Sequence, residues 1–414
     1  MTECNVLVAQ SGGPTTVINS SLAGVIASAL NEKKVDKVYG ARNGILGVLR
    51  ENIISLDELF GKNRELLEQL KTTPSMFLGS CRHKLASLDQ SAEEYKKIFE
   101  VFKQYNIQYF FYIGGNDSMD TVAKLSQYAK QINYDIHILG IPKTIDNDLV
   151  CIDHTPGFGS AAKYIASSFL EISHDTYIYD TESVVIVEVM GRNAGWLTAS
   201  AVLARNEYSS APHLIYLPEK AFSTEAFLED VRNMLKERKQ VVIAVSEGIK
   251  DVEGNYISAA SAKVDGFGHA QLSGTGKYLE ELVADQIGCK VRSIELNVLQ
   301  RCASHLSSLT DIEEAYQLGF RGVQKAVEGH SCEMMSLTRV SNEPYEVEYT
   351  TVDVMQVANA EKKIPAEWIN EAGNDVEEEL VEYLRPLILG ESKVAYTFGV
   401  PKYLHFDIEN NTVK

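Results

Sequence analysis

Apolar, β-branched runs alternate with amphipathic segments along most of this chain, and that alternation confines it to an α/β architecture. The runs Asn5–Ala9, Lys37–Ala41, Gln108–Ile113, Ile136–Ile141, Ser183–Val189, His213–Leu217, Val241–Ser246 and Val291–Leu296 have the length and composition of buried strands. Between them, Ile18–Leu30, Ala92–Gln104, Met119–Gln131 and Ala161–Ile172 read as amphipathic helices. A strand joined to the next through a helix pairs with it in parallel, so the pattern predicts largely parallel sheets with both faces covered. With 414 residues, 45% of them hydrophobic, the chain supports two such units. We place the first at residues 1–150, rejoined by about 291–340, and the second at 151–290. Residues 341–414 are expected to pack on this body as a C-terminal extension, with strands in 337–358 and a late helix over Val376–Leu389.

In open parallel sheets, ligands bind just past the carboxyl ends of the strands, and polar clusters fall at those places here. Gly114-Gly115-Asn116-Asp117-Ser118 follows one run, and Lys143-Thr144-Ile145-Asp146-Asn147-Asp148 follows the next. The first lets backbone amides approach a phosphate; the second offers carboxylates, a hydroxyl and a cation. Phosphoryl transfer needs such groups: a base for the attacking hydroxyl, oxygen ligands for Mg2+, and positive charge on the moving group. Ser11-Gly12-Gly13-Pro14 after the first strand is a second candidate anion loop, with a plain glycine turn as its alternative. It does not match the GxGxxG pattern of dinucleotide-binding turns. Gly79-Ser80-Cys81-Arg82 carries either a phosphate clamp or a surface arginine. Met190-Gly191-Arg192, Glu247, Arg292 and Arg301 flank further strand ends. Singly, each reads equally as a structural ion pair; together they suggest a polar sugar-phosphate pocket. His154 and His305 read as satisfied structural histidines.

The net charge of −18 argues against nucleic acid or an anionic membrane as a partner. No window approaches the ~20 apolar residues of a membrane span, and no basic leader precedes Cys4–Gln10. The six cysteines lack CxxC spacing and read as reduced thiols, so a cytoplasmic location is expected.

In order, the segments SGGP, GSCR, GGND, PKTIDND, MGRNAGW, SEG and LQR resemble the 6-phosphofructokinase family over roughly residues 5–320. The resemblance implies two Rossmann-like three-layer domains with the active site in the cleft between them. It implies Asp146 as general base toward the 1-hydroxyl of fructose 6-phosphate, and Arg192 stabilising the moving phosphoryl. It places Gly13, Arg82, Lys143 and Asp148 with the donor and Mg2+. Thr144, Ile145, Met190, Gly191, Glu247, Arg292 and Arg301 fall on the sugar-phosphate side. Two positions select the donor. ATP-using bacterial members carry glycine where this chain has Asp117 and Lys143, and both substitutions match pyrophosphate-dependent members. A carboxylate ~4 Å from a nucleotide's inner phosphate repels it by roughly 1–4 kcal/mol. The resemblance therefore implies reversible phosphoryl transfer from pyrophosphate to fructose 6-phosphate.

Three positions depart from the family pattern. Asn116 stands where the family has a metal-binding aspartate, so Mg2+ is expected on Asn116, Asp117 and Asp148. Val298 replaces a hydrogen-bonding residue, and Ser183 replaces an arginine donated across a subunit interface. Arg292, the other residue donated across the interface, is retained, which implies a homodimer or homotetramer. An ATP-dependent kinase and a non-catalytic sugar-phosphate sensor are the competing readings.

Overall fold

The computed structural model describes residues 4–257, 263–264, 270–271, 274–407 and 412–413. In chain order the strands as far as residue 353 are β1 (Cys4–Gln10), β2 (Val35–Ala41), β3 (Ile53–Ser55), β4 (Ile107–Gly114), β5 (His137–Pro142), β6 (Ser183–Val189), β7 (Leu214–Tyr216), β8 (Gln240–Ser246), β9 (Lys263–Val264), β10 (Ala270–Gln271), β11 (Lys290–Glu295), β12 (Glu333–Asn342) and β13 (Tyr345–Asp353), and two short antiparallel pairs follow in the tail. Seven of them form one sheet in the order β13-β12-β5-β4-β1-β2-β3, and four form another in the order β11-β6-β8-β7. From β12 to β2 the first sheet is parallel, and β13 and β3 close its edges in antiparallel pairing. The second sheet is parallel throughout. The expected α/β fold of two largely parallel sheets is the fold observed.

Side-chain alternation along β6 shows why this sheet needs cover on both faces. Val185, Val187 and Val189 enter one core with Phe169, Trp196 and Leu197. Val184 and Ile186 enter the opposite core with Phe227, Val231 and Leu279. In the first sheet, Val6, Leu7 and Val8 are fully buried, with helix Ile18–Asn31 packing nearby. That helix lies against helix Leu309–Val327 at glycine-permitted distance. A Cβ on Gly24 would stand 2.1 Å from the Tyr316 carbonyl oxygen, and one on Gly319 would stand 2.0 Å from that of Ser21.

Sheet pairing corrects the expected boundaries at two places. Lys290–Glu295 stays in the second sheet beside β6, so the return to the first sheet comes later than residue 291. This edge strand is largely exposed, and its sparse apolar residues hide its membership. Tyr345–Asp353 pairs with β12 inside the first sheet, beyond the residue at which the extension was expected to begin. The late helix ends at Leu384 and tightens to a 3₁₀ turn over Arg385–Ile388. Pro386 there has no N–H to continue the α-helical ladder. The tail crosses between units: Ile364, Ile369, Leu380 and Leu384 join the second sheet's core, whereas Leu404 joins the first. Among the described residues, no helix is long and apolar enough to cross a membrane.

The close helix pair gives a direct test. Gly319→Ala forces a methyl into backbone and is expected to cost about 1–3 kcal/mol, seen as a melting temperature several degrees lower. An unchanged melting temperature contradicts the close approach.

Candidate active site

Loops after the strand ends of both sheets meet around a cleft of about 520 Å³. From the first sheet come Gly12 and Gly13 after β1, Asn116 and Asp117 after β4, and Lys143, Thr144, Asp146 and Asp148 after β5. From the second come Met190 and Arg192 after β6 and Glu247 after β8. Arg82, His83 and Lys84 close one side.

Lys143 is 2% exposed. Its Nζ donates to the Gly13 carbonyl at 2.7 Å, and its backbone N–H donates to the Gly114 carbonyl at 3.0 Å. One residue thereby joins the loops after β1, β4 and β5. The turn that follows is bonded internally. The Asp146 N–H donates to Thr144 Oγ1 at 3.1 Å, and the Thr155 N–H donates to Asn147 Oδ1 at 3.0 Å. Asn147 takes φ of 54°, a left-handed conformation that asparagine tolerates better than most residues. The turn aims Asp146 and Asp148 into the cleft and turns Ile145 away from it. Ile145 is buried in the second sheet's core, so the expected substrate contact from its side chain is not observed.

On the second-sheet side, the Gly191 N–H donates to Glu247 Oε1 at 3.4 Å, so Gly191 acts through its backbone. Arg192 lines the cleft, and its buried Nε has no hydrogen-bond partner among the described residues. Arg301 reaches the site from the 3₁₀ turn Asn297–Arg301; its Nη1 lies 3.3 Å from where a Cβ on Gly13 would stand. Arg292 does not line the cleft of its own chain. It lies on the exposed edge strand β11, 57% exposed, with Nη1 3.6 Å from Asp175.

The chain after β13 enters the same cleft. Helix Val354–Val357 leads into a strap, residues 358–364, that places Asn359, Ala360 and Glu361 in the cleft wall. Asn116 holds this strap: its Oδ1 accepts from the Asn359 N–H at 2.7 Å, and its Nδ2 donates to the Ala360 carbonyl. The side chain expected to serve a metal is therefore engaged by backbone. Asp117 lines the cleft beside it and meets Lys84 Nζ at 3.2 Å. That ion pair is about half exposed and offsets part of the repulsion Asp117 would exert on a phosphate.

The phosphofructokinase family model matches residues 5–325, more than half of the chain. This chain belongs to the phosphofructokinase family. It is 44% identical to the pyrophosphate–fructose 6-phosphate 1-phosphotransferase of Xanthomonas campestris pv. campestris (strain B100), over 98% of this chain and 96% of that one. It is 32% identical to the sulfofructose kinase of Alkalicoccus urumqiensis, over 88% of this chain and 92% of the relative. The crystal structure of the pyrophosphate-dependent phosphofructokinase from Nitrosospira multiformis superimposes with a TM-score of 0.88 at 38% identity. That match covers 97% of this chain and 96% of the neighbour.

Burial sets the electrostatics of this phosphofructokinase site. It pulls the Lys143 ammonium down to about 8, against the pull of Asp146 and Asp148. It raises Asp146, although Lys143, Arg192 and Arg301 oppose the rise. Burial and the neighbouring Asp146 charge raise Asp148 as well. Burial also pushes Glu247 up to about 7. Family members work with a divalent metal, and the donor set suits a hard cation. Asp148 Oδ1 is buried without a hydrogen-bond partner among the described residues, and Asp146 and Asp117 line the same cleft. No three His, Cys, Asp or Glu side chains among the described residues form a metal-holding group. A cation here would take its remaining ligands from water and phosphate oxygens.

Sequence reasoning missed Lys84, Asn359 and Glu361 as lining residues. Lys84 continues the basic run Arg82-His83-Lys84, a signal that was available. Asn359 and Glu361 lie beyond the family match in a stretch that reads as an ordinary polar loop. Behind the Asp146 turn lies a buried ionic network. His154, 1% exposed, donates from Nδ1 to Asp153 at 2.7 Å and from Nε2 to Glu314 at 2.6 Å. Arg339 and the Tyr383 hydroxyl also bond to Asp153, and Tyr383 accepts from Asn147 Nδ2 at 2.9 Å. Burial alone would depress the imidazole, but Glu314 and Asp153 outweigh it and hold the pKa up at about 9.

A folded pKa above the unfolded value of 6.5 means that this stabilisation is complete below pH 6.5 and is lost as pH rises through 9. Relative to His154→Gln, the wild type is expected to lose roughly 3 kcal/mol over that window. Denaturation curves collected across the window check this, and parallel pH profiles for the two proteins contradict it.

Proposed function

We propose that this chain moves the terminal phosphoryl group of pyrophosphate to the 1-hydroxyl of fructose 6-phosphate, and that it also runs in reverse. The products are fructose 1,6-bisphosphate and phosphate. The observation that carries the donor assignment is that Asp117 and Lys143 line one cleft with Asp146. A buried ammonium suits a small, densely charged donor, and the Asp117–Lys84 pair occupies space beside it. The full-length likeness to relatives bearing the pyrophosphate name supports the same reading.

In this reading Asp146 accepts the proton of the sugar 1-hydroxyl. The oxygen attacks the terminal phosphorus in line, and the bond to the outgoing phosphate breaks with its electron pair on that phosphate. In the reverse direction Asp146 returns the proton. Its raised pKa brings it closer to neutrality, where a general base works best. Lys143, Gly13 and Arg82 hold the donor, and Arg192 faces the charge that builds on the moving group. Thr144, Met190, the Gly191 backbone, Glu247 and Arg301 hold the sugar phosphate. Asp148 and Asp117 would hold Mg2+, which would supply charge neutralisation on the donor oxygens. Arg292, exposed in its own chain, serves the sugar-phosphate site of a second copy in a homodimer or homotetramer. A cytoplasmic enzyme of glycolysis and gluconeogenesis completes the proposal.

The test is the initial rate of fructose 1,6-bisphosphate formation from fructose 6-phosphate and Mg2+, with pyrophosphate and ATP as parallel donors. Pyrophosphate is expected to exceed ATP by at least about a hundredfold in kcat/KM, a difference of roughly 2.7 kcal/mol. A preference for ATP overturns the donor assignment. Silence with both donors overturns the reaction.

A further inference from the structure

Lys362 is the densest crossing point of the strap, and every polar group it carries is spent on the loops that hold the reacting residues. Its Nζ donates to the Asp153 carbonyl at 2.7 Å, to the Ile152 carbonyl at 3.3 Å and to Asn147 Oδ1 at 3.3 Å. An ammonium has three N–H donors, so the set is saturated and none is left for a substrate. Its backbone N–H donates to the Asp148 carbonyl at 2.7 Å. Its carbonyl accepts from Trp196 Nε1 at 3.1 Å, just beyond the Arg192 loop. The ammonium also stands 5.4 Å from the Trp196 ring centroid, within cation–π range. The next bond along the strap, from the Ile364 N–H to Glu219 at 3.2 Å, ties it to the same side, because Glu219 also accepts from the Gly195 N–H at 2.8 Å.

We infer that Lys362 is a positioning residue that sets the Asp146–Asp148 turn of the first sheet against the Arg192 loop of the second. Phosphoryl transfer depends on the base and the cation keeping fixed positions around the moving group, and a misplacement of about 1 Å costs on the order of a hundredfold in rate. The Asp146 turn is the part in need of support, because its left-handed Asn147 is held from outside by Lys362 and Tyr383. The catalytic part of this inference rests on the phosphoryl-transfer reading above; the geometric part does not.

Two variants and two readouts test it in the full-length protein. With pyrophosphate and fructose 6-phosphate, Lys362→Met is expected to lose about a hundredfold in kcat, with each KM within threefold of wild type. Lys362→Arg keeps the charge, but its planar fork does not fit three converging acceptors, and about a tenfold loss in kcat is expected. Hydrogen–deuterium exchange of residues 144–157 and 190–197 in the Lys362→Arg protein, and in Lys362→Met where it folds, is expected to be at least fivefold faster than in wild type. Exchange unchanged in both segments overturns the inference, whether or not the wild type uses pyrophosphate. A kcat within threefold of wild type in the folded variants, beside an active wild type, also overturns it. So does a loss confined to KM, which would make Lys362 a substrate contact. A wild type silent with pyrophosphate sinks the reaction, and the exchange data then decide the inference alone.

Discussion

A single buried ammonium organises this molecule. Lys143 leaves the end of β5, passes the end of β4 through its backbone bond to Gly114, and reaches the carbonyl of Gly13 after β1. An unpaired charge in such a place is untenable, and the surroundings are arranged to tolerate it. The Gly13 carbonyl accepts one hydrogen bond, and Asp146 and Asp148 supply the opposing field. The sheet order β5-β4-β1 makes the contact possible, because neighbouring strands bring the three loops within reach of one lysine. Burial pulls the lysine down and the carboxylates up, and anionic substrates or a metal would each offset part of that electrostatic cost. The same arrangement that penalises folding prepares the site for charge transfer.

Around that centre lies a shell of polar contacts set mostly behind the side chains that face the cleft. The His154 network braces the Asp146 turn from below through Asp153, Tyr383 and Asn147. The strap braces it from the side and fastens it to the second sheet. Residues of this shell come from β12, from helices Leu309–Val327 and Glu378–Leu384, and from the strap. The part of the chain beyond residue 325, outside the family match, is thus built into the site and does not merely cover the body. Breaking a buried ion pair costs more than exchanging it for packing, which makes such a network a firm support for a turn that must not drift.

Much of this was legible in the sequence. Strands such as Ser183–Val189 announce themselves by unbroken β-branched residues, because both faces are buried. Polar clusters just past those runs fall in the cleft, because parallel sheets leave their carboxyl ends open. Other features carry no local signal. Ile145 sits among polar site residues in the sequence, yet its side chain is buried in the second sheet's core. Asn116 reads as a metal ligand until the strap, more than two hundred residues on, takes both its polar atoms. The edge strand Lys290–Glu295 has no fully buried residue to mark it, and its pairing with β6 shows which sheet it belongs to. Ile145, Asn116 and this edge strand are settled by contacts between distant segments, which no periodicity records.

In the proposed reaction Lys143 serves phosphoryl transfer at a cost to the fold, and Lys143→Met separates the two directly. Methionine removes the desolvation cost of the ammonium, and Asp146 and Asp148, already raised by burial, can take up protons once the opposing charge is gone. The account predicts a melting temperature equal to or above that of wild type, together with a loss of at least about a thousandfold in kcat/KM for pyrophosphate. Turnover near that of wild type, or activity lost because the variant unfolds, would contradict it.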